Sequence, residues 1–135
     1  MSSRKEFLKT ASLGVIGSLL AIGCKRHSPD FPVLSRPQTL VQLCDSTTLI
    51  ELGTAYRDMN RSENDKEKLA TLILEDSVGN LFTPASEADA MLIIQENIAR
   101  DFKHGNIVKL NGWILSTTEA RQCALFSFKN PKHAR

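Results

Sequence analysis

Apolar positions recur along the chain in runs of helical spacing, separated by polar, glycine- or proline-bearing stretches. Leu49, Leu52, Tyr56 and Met59 stand three or four apart. That is one stripe of a 3.6-residue period, and Asp45-Ser46 ahead of it offers an N-cap, so the pattern predicts a helix to about Met59. Ser62-Glu63-Asn64-Asp65 opens a second helix, with Ser62 as cap and acids in the first turn, where the helix dipole favours them. Its buried face is expected at Leu69, Leu72 and Ile73, its end near Asp76, and a turn at Gly79-Asn80. Leu81-Phe82-Thr83 reads as a short strand or an anchor before Pro84. Ser86 then caps the longest helix, about Glu87 to Lys103. Its main stripe is Met91, Ile94, Ile98 and Phe102, widened by Leu92 and Ile93, and Gly105 is placed to end it in a left-handed conformation.

The pattern changes period after that glycine. Ile107–Leu110 and Trp113–Leu115 flank Asn111-Gly112, the favoured pair for a tight hairpin turn. One extended strand with a bulge at Gly112 is the alternative. Ser116-Thr117-Thr118-Glu119 has the form of a capping box, so a last helix is expected to run to about Phe128. Ala120, Cys123, Ala124 and Ser127 give that helix a small-residue face suited to close packing, and Gly53 would allow a near neighbour on the first helix. Thr39–Cys44 fits one or two helical turns. The expected fold is mainly α: a small bundle of about four helices with one short β-hairpin or strand, in a single domain over residues 39–135. The core is expected at Leu52, Tyr56, Leu69, Leu72, Met91, Ile94, Ile98, Phe102 and Trp113.

The front of the chain follows different rules. Residues 11–23, ASLGVIGSLLAIG, are 13 positions without a charge behind a basic leader. A bilayer-spanning helix needs about 20 apolar residues, and three glycines disfavour a core helix. The layout is that of a removable signal peptide over residues 1–23. Within it, Ser3-Arg4-Lys5-Glu6-Phe7-Leu8-Lys9 resembles the twin-arginine export motif, with Lys5 at the second arginine; that route and the general secretory route both stay open. Leu20-Ala21-Ile22-Gly23-Cys24 resembles the lipobox of bacterial lipoproteins, with Ala21 where leucine is usual. The resemblance implies that Cys24 is diacylated and becomes the first residue of the mature protein. Such a protein would sit in the bacterial envelope, held to a membrane by its acyl chains. Residues 24–38 carry Pro29, Pro32 and Pro37 and show no period, so they are expected to be a tether.

Charge refines this picture. The +2 of the whole chain resides in residues 1–23, and the remainder has 14 basic and 14 acidic residues. A neutral domain with few aromatics is a poor binder of nucleic acid, so no such partner is expected. With Cys24 acylated, Cys44 and Cys123 are the remaining cysteines, and in an oxidising compartment they form a candidate disulfide pair.

Catalytic and metal chemistry finds no constellation. His27, His104 and His133 share no ligand spacing and no Cys-x-x-Cys is present, so no metal or cofactor is expected. Asp101 and His104, three apart, read as a surface pair. Ser116, Thr117 and Glu119 read as a cap, not a triad. Glu63, Asp65 and Glu67 alternate like a sparse calcium loop but lack its glycine and closing glutamate. Leu49–Tyr56 resembles the first helix of a tetratricopeptide repeat, yet no second copy follows. Trp113, the one tryptophan, with Leu92 and Ile93, is the candidate contact surface for a partner. The layout of leader and small helical body is similar to that of small exported accessory subunits of periplasmic oxidoreductases. This implies a non-catalytic subunit of a larger exported protein. The alternative is a free-standing envelope lipoprotein that binds a ligand or another surface protein.

Overall fold

Each main helix is started by a side chain that takes up an orphan backbone amide. In the computed structural model, which describes residues 30–130, Asp45 accepts from the Thr48 amide and begins α2 (Ser46–Met59), which follows a single turn, α1 (Leu40–Leu43). Asp65 accepts from Lys68 and begins α3 (Lys66–Ile73). Ser86 accepts from Asp89 and begins α4 (Glu87–His104), which Gly105 closes at φ +74°. Ser116 and Glu119 form the reciprocal capping box at the head of α5 (Thr117–Lys129). Ser62 is not the cap of α3. It falls in a 3-10 turn, Arg61–Glu63, and Asp65, whose side chain reaches the third amide beyond it, takes that place.

The Asn-Gly pair makes a hairpin and not a single strand. Strands β1 (Ile107–Leu110) and β2 (Trp113–Ser116) pair antiparallel with Val108 opposite Leu115 and Leu110 opposite Trp113. Asn111 and Gly112 both have positive φ, as the tight turn requires. Val108, Leu110, Trp113 and Leu115 face the core, while Ile107 and Ile114 face outward. The fold is therefore mainly α with one two-stranded hairpin.

Helices α2 and α5 share the most extensive contact. Gly53 of α2 meets Cys123 and Ala124 of α5, and Arg57 reaches Ser127 and stacks on Phe128, so the two helices run in the same sense. A Cβ at position 53 would run into the Cys123 carbonyl and lie 2.9 Å from Ala124 Cα. Only glycine permits this approach. The small-residue face of α5 completes it, with Ala120, Cys123, Ala124 and Ser127 all fully buried.

Further expectations are corrected. The stretch expected as a tether is built into the domain from Val33 to Pro37: Pro32–Ser35 is a 3-10 turn whose Val33 and Leu34 are buried. Its backbone is satisfied from outside, the Val33 amide donating to Glu87 Oε2 at 2.9 Å and the Val33 carbonyl accepting from Gln122 Nε2 at 2.8 Å. Another correction is the phase of α4. Phe102 is 49% exposed, and Met91 and Ile98 are only half-buried. The helix instead buries Ala90, Ile94 and Asn97. It is turned toward a polar stripe because Asn97 and Asp101 have backbone partners on the elements facing them. Met59, at 62% exposure, likewise lies off the buried face of α2. Of the remaining expected core, Leu52, Tyr56, Leu69 and Ile94 are buried, and Leu72 and Trp113 are half-buried.

Candidate functional site

The inward polar stripe of α4 joins two helix ends. Asn97 is buried, and its Nδ2 donates to the carbonyls of Ile73 at 2.9 Å and Glu75 at 3.0 Å, at the C-terminal end of α3. One turn on, Asp101 Oδ2 accepts from the Thr118 amide at 2.7 Å, in the first turn of α5. Carbonyls that α3 leaves open and an amide that α5 leaves open are thus both satisfied by α4. Asp101 also sits where a helix dipole favours a negative charge.

Between these junctions lies a cleft of about 340 Å³, at the small end of the range for ligand sites. Arg100 is held in it by donation to Asn97 Oδ1. Arg121 enters from α5, its Nε and Nη2 donating to the two oxygens of Glu63 at 2.9 and 3.0 Å. Tyr56 donates its hydroxyl to the same Glu63 at 2.8 Å. This knot ties α2, the 3-10 turn and α5 behind the cleft. Burial alone would raise the Glu63 pKa, but the hydrogen bonds from Arg121 and Tyr56 outweigh it and hold the carboxyl below its ordinary value. Burial pushes the Tyr56 phenol up to about 12.

Another wall of the cleft is the turn after α3. Asp76 Oδ1 accepts from the amides of Val78 and Asn80, and Oδ2 accepts from the Asn80 side chain. These bonds, led by the Asn80 amide, hold the Asp76 carboxyl below its usual range. Asn106 and Thr117 line the mouth, with the Thr117 hydroxyl and amide both on the Asn106 carbonyl at 3.0 Å.

The residues singled out by sequence lie elsewhere. Cys24 falls outside the described residues. Cys44 and Cys123 are free thiols, which corrects the disulfide expectation. The Cys44 thiol is turned back on its own helical turn, donating to the Leu40 carbonyl at 3.3 Å, and Cys123 is sealed under α2. Burial raises both thiols above their ordinary values, Cys123 by far the more. Trp113 and Ile93 pack against the core, and only Leu92 stands out, at 60% exposure. Asp101 does not pair with His104, whose Nδ1 lies 3.0 Å from the Arg100 carbonyl. Glu63, read as a helix-start acid, is the partner of Arg121 across 58 positions. No cluster of metal-ligating side chains occurs among the described residues, and none of their helices is long and apolar enough to cross a membrane.

A polar residue interrupting an apolar helical stripe was the signal available for this site: Asn97 stands between Ile94 and Ile98. A comparison of the chain with protein families, curated proteins and solved structures found no match.

Proposed function

We propose that the chain is an exported lipoprotein, anchored through Cys24, whose single helical domain acts by binding at the α3–α4–α5 cleft and not by its own chemistry. The observation that carries the binding part is the held but uncommitted guanidinium of Arg100. Asn97 fixes it, and although Asp76 is near enough to feel its charge, no carboxylate among the described residues forms an ion pair with it. Pre-set groups of this kind bind without first losing much conformational freedom.

The geometry of the entry segment is consistent with anchoring. Cys24 precedes Asp30 by six residues, which span at most about 21 Å. Val33 is fastened to Glu87 at the first turn of α4. Arg100 lies 13 residues further along the same helix, about 20 Å away at 1.5 Å per residue. A lipid on Cys24 would therefore hold the domain close to the bilayer.

A second reading, an accessory subunit of a larger exported enzyme such as an oxidoreductase, is favoured by the exposure of Leu92 on α4 and of Ile114 and Ile107 on the outer hairpin face. Intact mass of the membrane fraction and gentle detergent extraction test both parts. A chain starting at diacylated Cys24 that elutes alone supports the binding lipoprotein. Co-elution with a stoichiometric larger protein favours the subunit. A chain that keeps residues 1–23, or stays out of the membrane fraction, overturns the anchor.

A further inference from the structure

The cleft's own charges narrow what it can hold, given that it is a binding site at all, the reading on which this step rests. Its acids are only partly committed, with Asp76 occupied and Glu75 open. Both Asp76 oxygens take donors from its own turn, and one Asp101 oxygen takes the Thr118 amide. Its donors are also only partly committed. Arg100 uses one nitrogen on Asn97, and Arg121 keeps Nη1 unassigned after its two bonds to Glu63. The open capacity is therefore guanidinium N–H, which matches a planar carboxylate, together with carboxylate oxygen on Glu75 and Asp101.

A simple anion is nevertheless a poor fit. Glu75, Asp76 and Asp101 all border the same space, so a bare carboxylate would meet repulsion along with its guanidinium partner. A simple cation meets the converse difficulty at Arg100. A sugar would want an aromatic face, and Leu72 is the one apolar side chain among the cleft's lining. A ligand carrying both signs, a carboxylate for Arg100 and an ammonium for the remaining Glu75 and Asp101 oxygens, satisfies both sets. We propose that this cleft binds a small polar zwitterion of the α-amino-acid class.

The test is calorimetric titration of the full-length protein in detergent with the twenty amino acids, beginning with L-serine and L-glutamine, against acetate and ethylamine as half-ligands. At least one amino acid is expected to bind with Kd under about 1 mM, and each half-ligand about tenfold or more weaker. Arg100→Gln should weaken the amino acid about tenfold or more while the circular dichroism stays as in the parent and the melting midpoint falls by no more than the loss of one half-exposed hydrogen bond. Asn106→Ala, at an exposed position, is the second variant and should weaken binding by less. Binding of no amino acid at about 10 mM, binding of acetate as tight as any amino acid, or an unchanged affinity in Arg100→Gln overturns the proposal. A photo-cross-linker at position 106, used on intact membranes, separates the two failures. A cross-linked protein where amino acids do not bind leaves the cleft as a binding site with a different ligand, and no product with no ligand removes both readings.

Discussion

The α2–α5 contact and the α3–α4–α5 junction are built on opposite principles. The first is small and apolar, with Gly53 against Cys123 and Ala124 and a face of alanines behind them. The second is polar, with Asn97, Arg100 and Asp101 supplying hydrogen bonds where an ordinary helix would supply leucines. Close packing tolerates almost no added volume. A cleft walled by hydrogen bonds tolerates changes of side chain but not the loss of a partner. The first region offers tight packing, and the second offers the polar groups on which the proposed binding rests.

The sharpest way to break that contrast is Gly53→Val. The new branched side chain would collide with main chain on α5, which cannot rotate aside as a side chain would. Overpacking usually costs about 1–3 kcal/mol, and a backbone clash belongs at or above the top of that range. Urea unfolding should show a loss of about 3 kcal/mol or an unfolded chain; a parent-like midpoint would mean the helices do not approach as described.

A pair of alanine substitutions gives the next largest effect. Ile73 is fully buried and Ile98 only half-buried. Ile73→Ala should cost about 3–4 kcal/mol, and Ile98→Ala about half of that. Equal costs would return α4 to the phase expected from its apolar stripe, with Ile98 central.

The smallest of the three effects concerns the knot that joins the regions. Glu63→Gln removes the ionic partner of Arg121 and should destabilise by about 1–2 kcal/mol at neutral pH, a partly exposed pair being worth less than a buried one. The Glu63 pKa is lower in the folded protein than in the unfolded chain. Its contribution is then fully present above the unfolded value and is lost as pH falls through the folded one. Parent and variant should therefore separate in melting midpoint above the ordinary glutamate range and converge as pH falls below it. A gap that stays constant across that range would show that Glu63 is not acting as a charge.

What the sequence revealed follows the same division. Local chemistry was legible: the caps at Asp45, Ser86 and Ser116, the left-handed Gly105, the Asn111-Gly112 turn and the small-residue face of α5 each depend on neighbours within four positions or on a single residue's shape. The long-range polar pairs were not. Asn97 reaches a carbonyl 24 positions back, and Glu63 meets Arg121 58 positions on, so neither bond leaves a periodic trace. Apolar periodicity also misplaced the face of α4, because it assigns every polar residue to solvent and has no means of counting a buried asparagine that satisfies two carbonyls. The entry segment was misread for a related reason. Pro32 and Pro37 break helical and strand patterns, yet a 3-10 turn beginning at proline can still bury valine and leucine.

Where the two ends of the described chain meet has a practical consequence. Asp30 and Lys129 lie 3.4 Å apart by their charged groups, although 99 positions separate them. A fluorescent reporter or affinity tag appended at the C-terminus would leave the domain on the face by which the chain enters. On a membrane-held protein it would share that face with the anchor. The Asn111-Gly112 turn is exposed and needs only its hairpin register, so it offers a better insertion point, distant from the crowded end in chain and fastened to the core through Leu110 and Leu115.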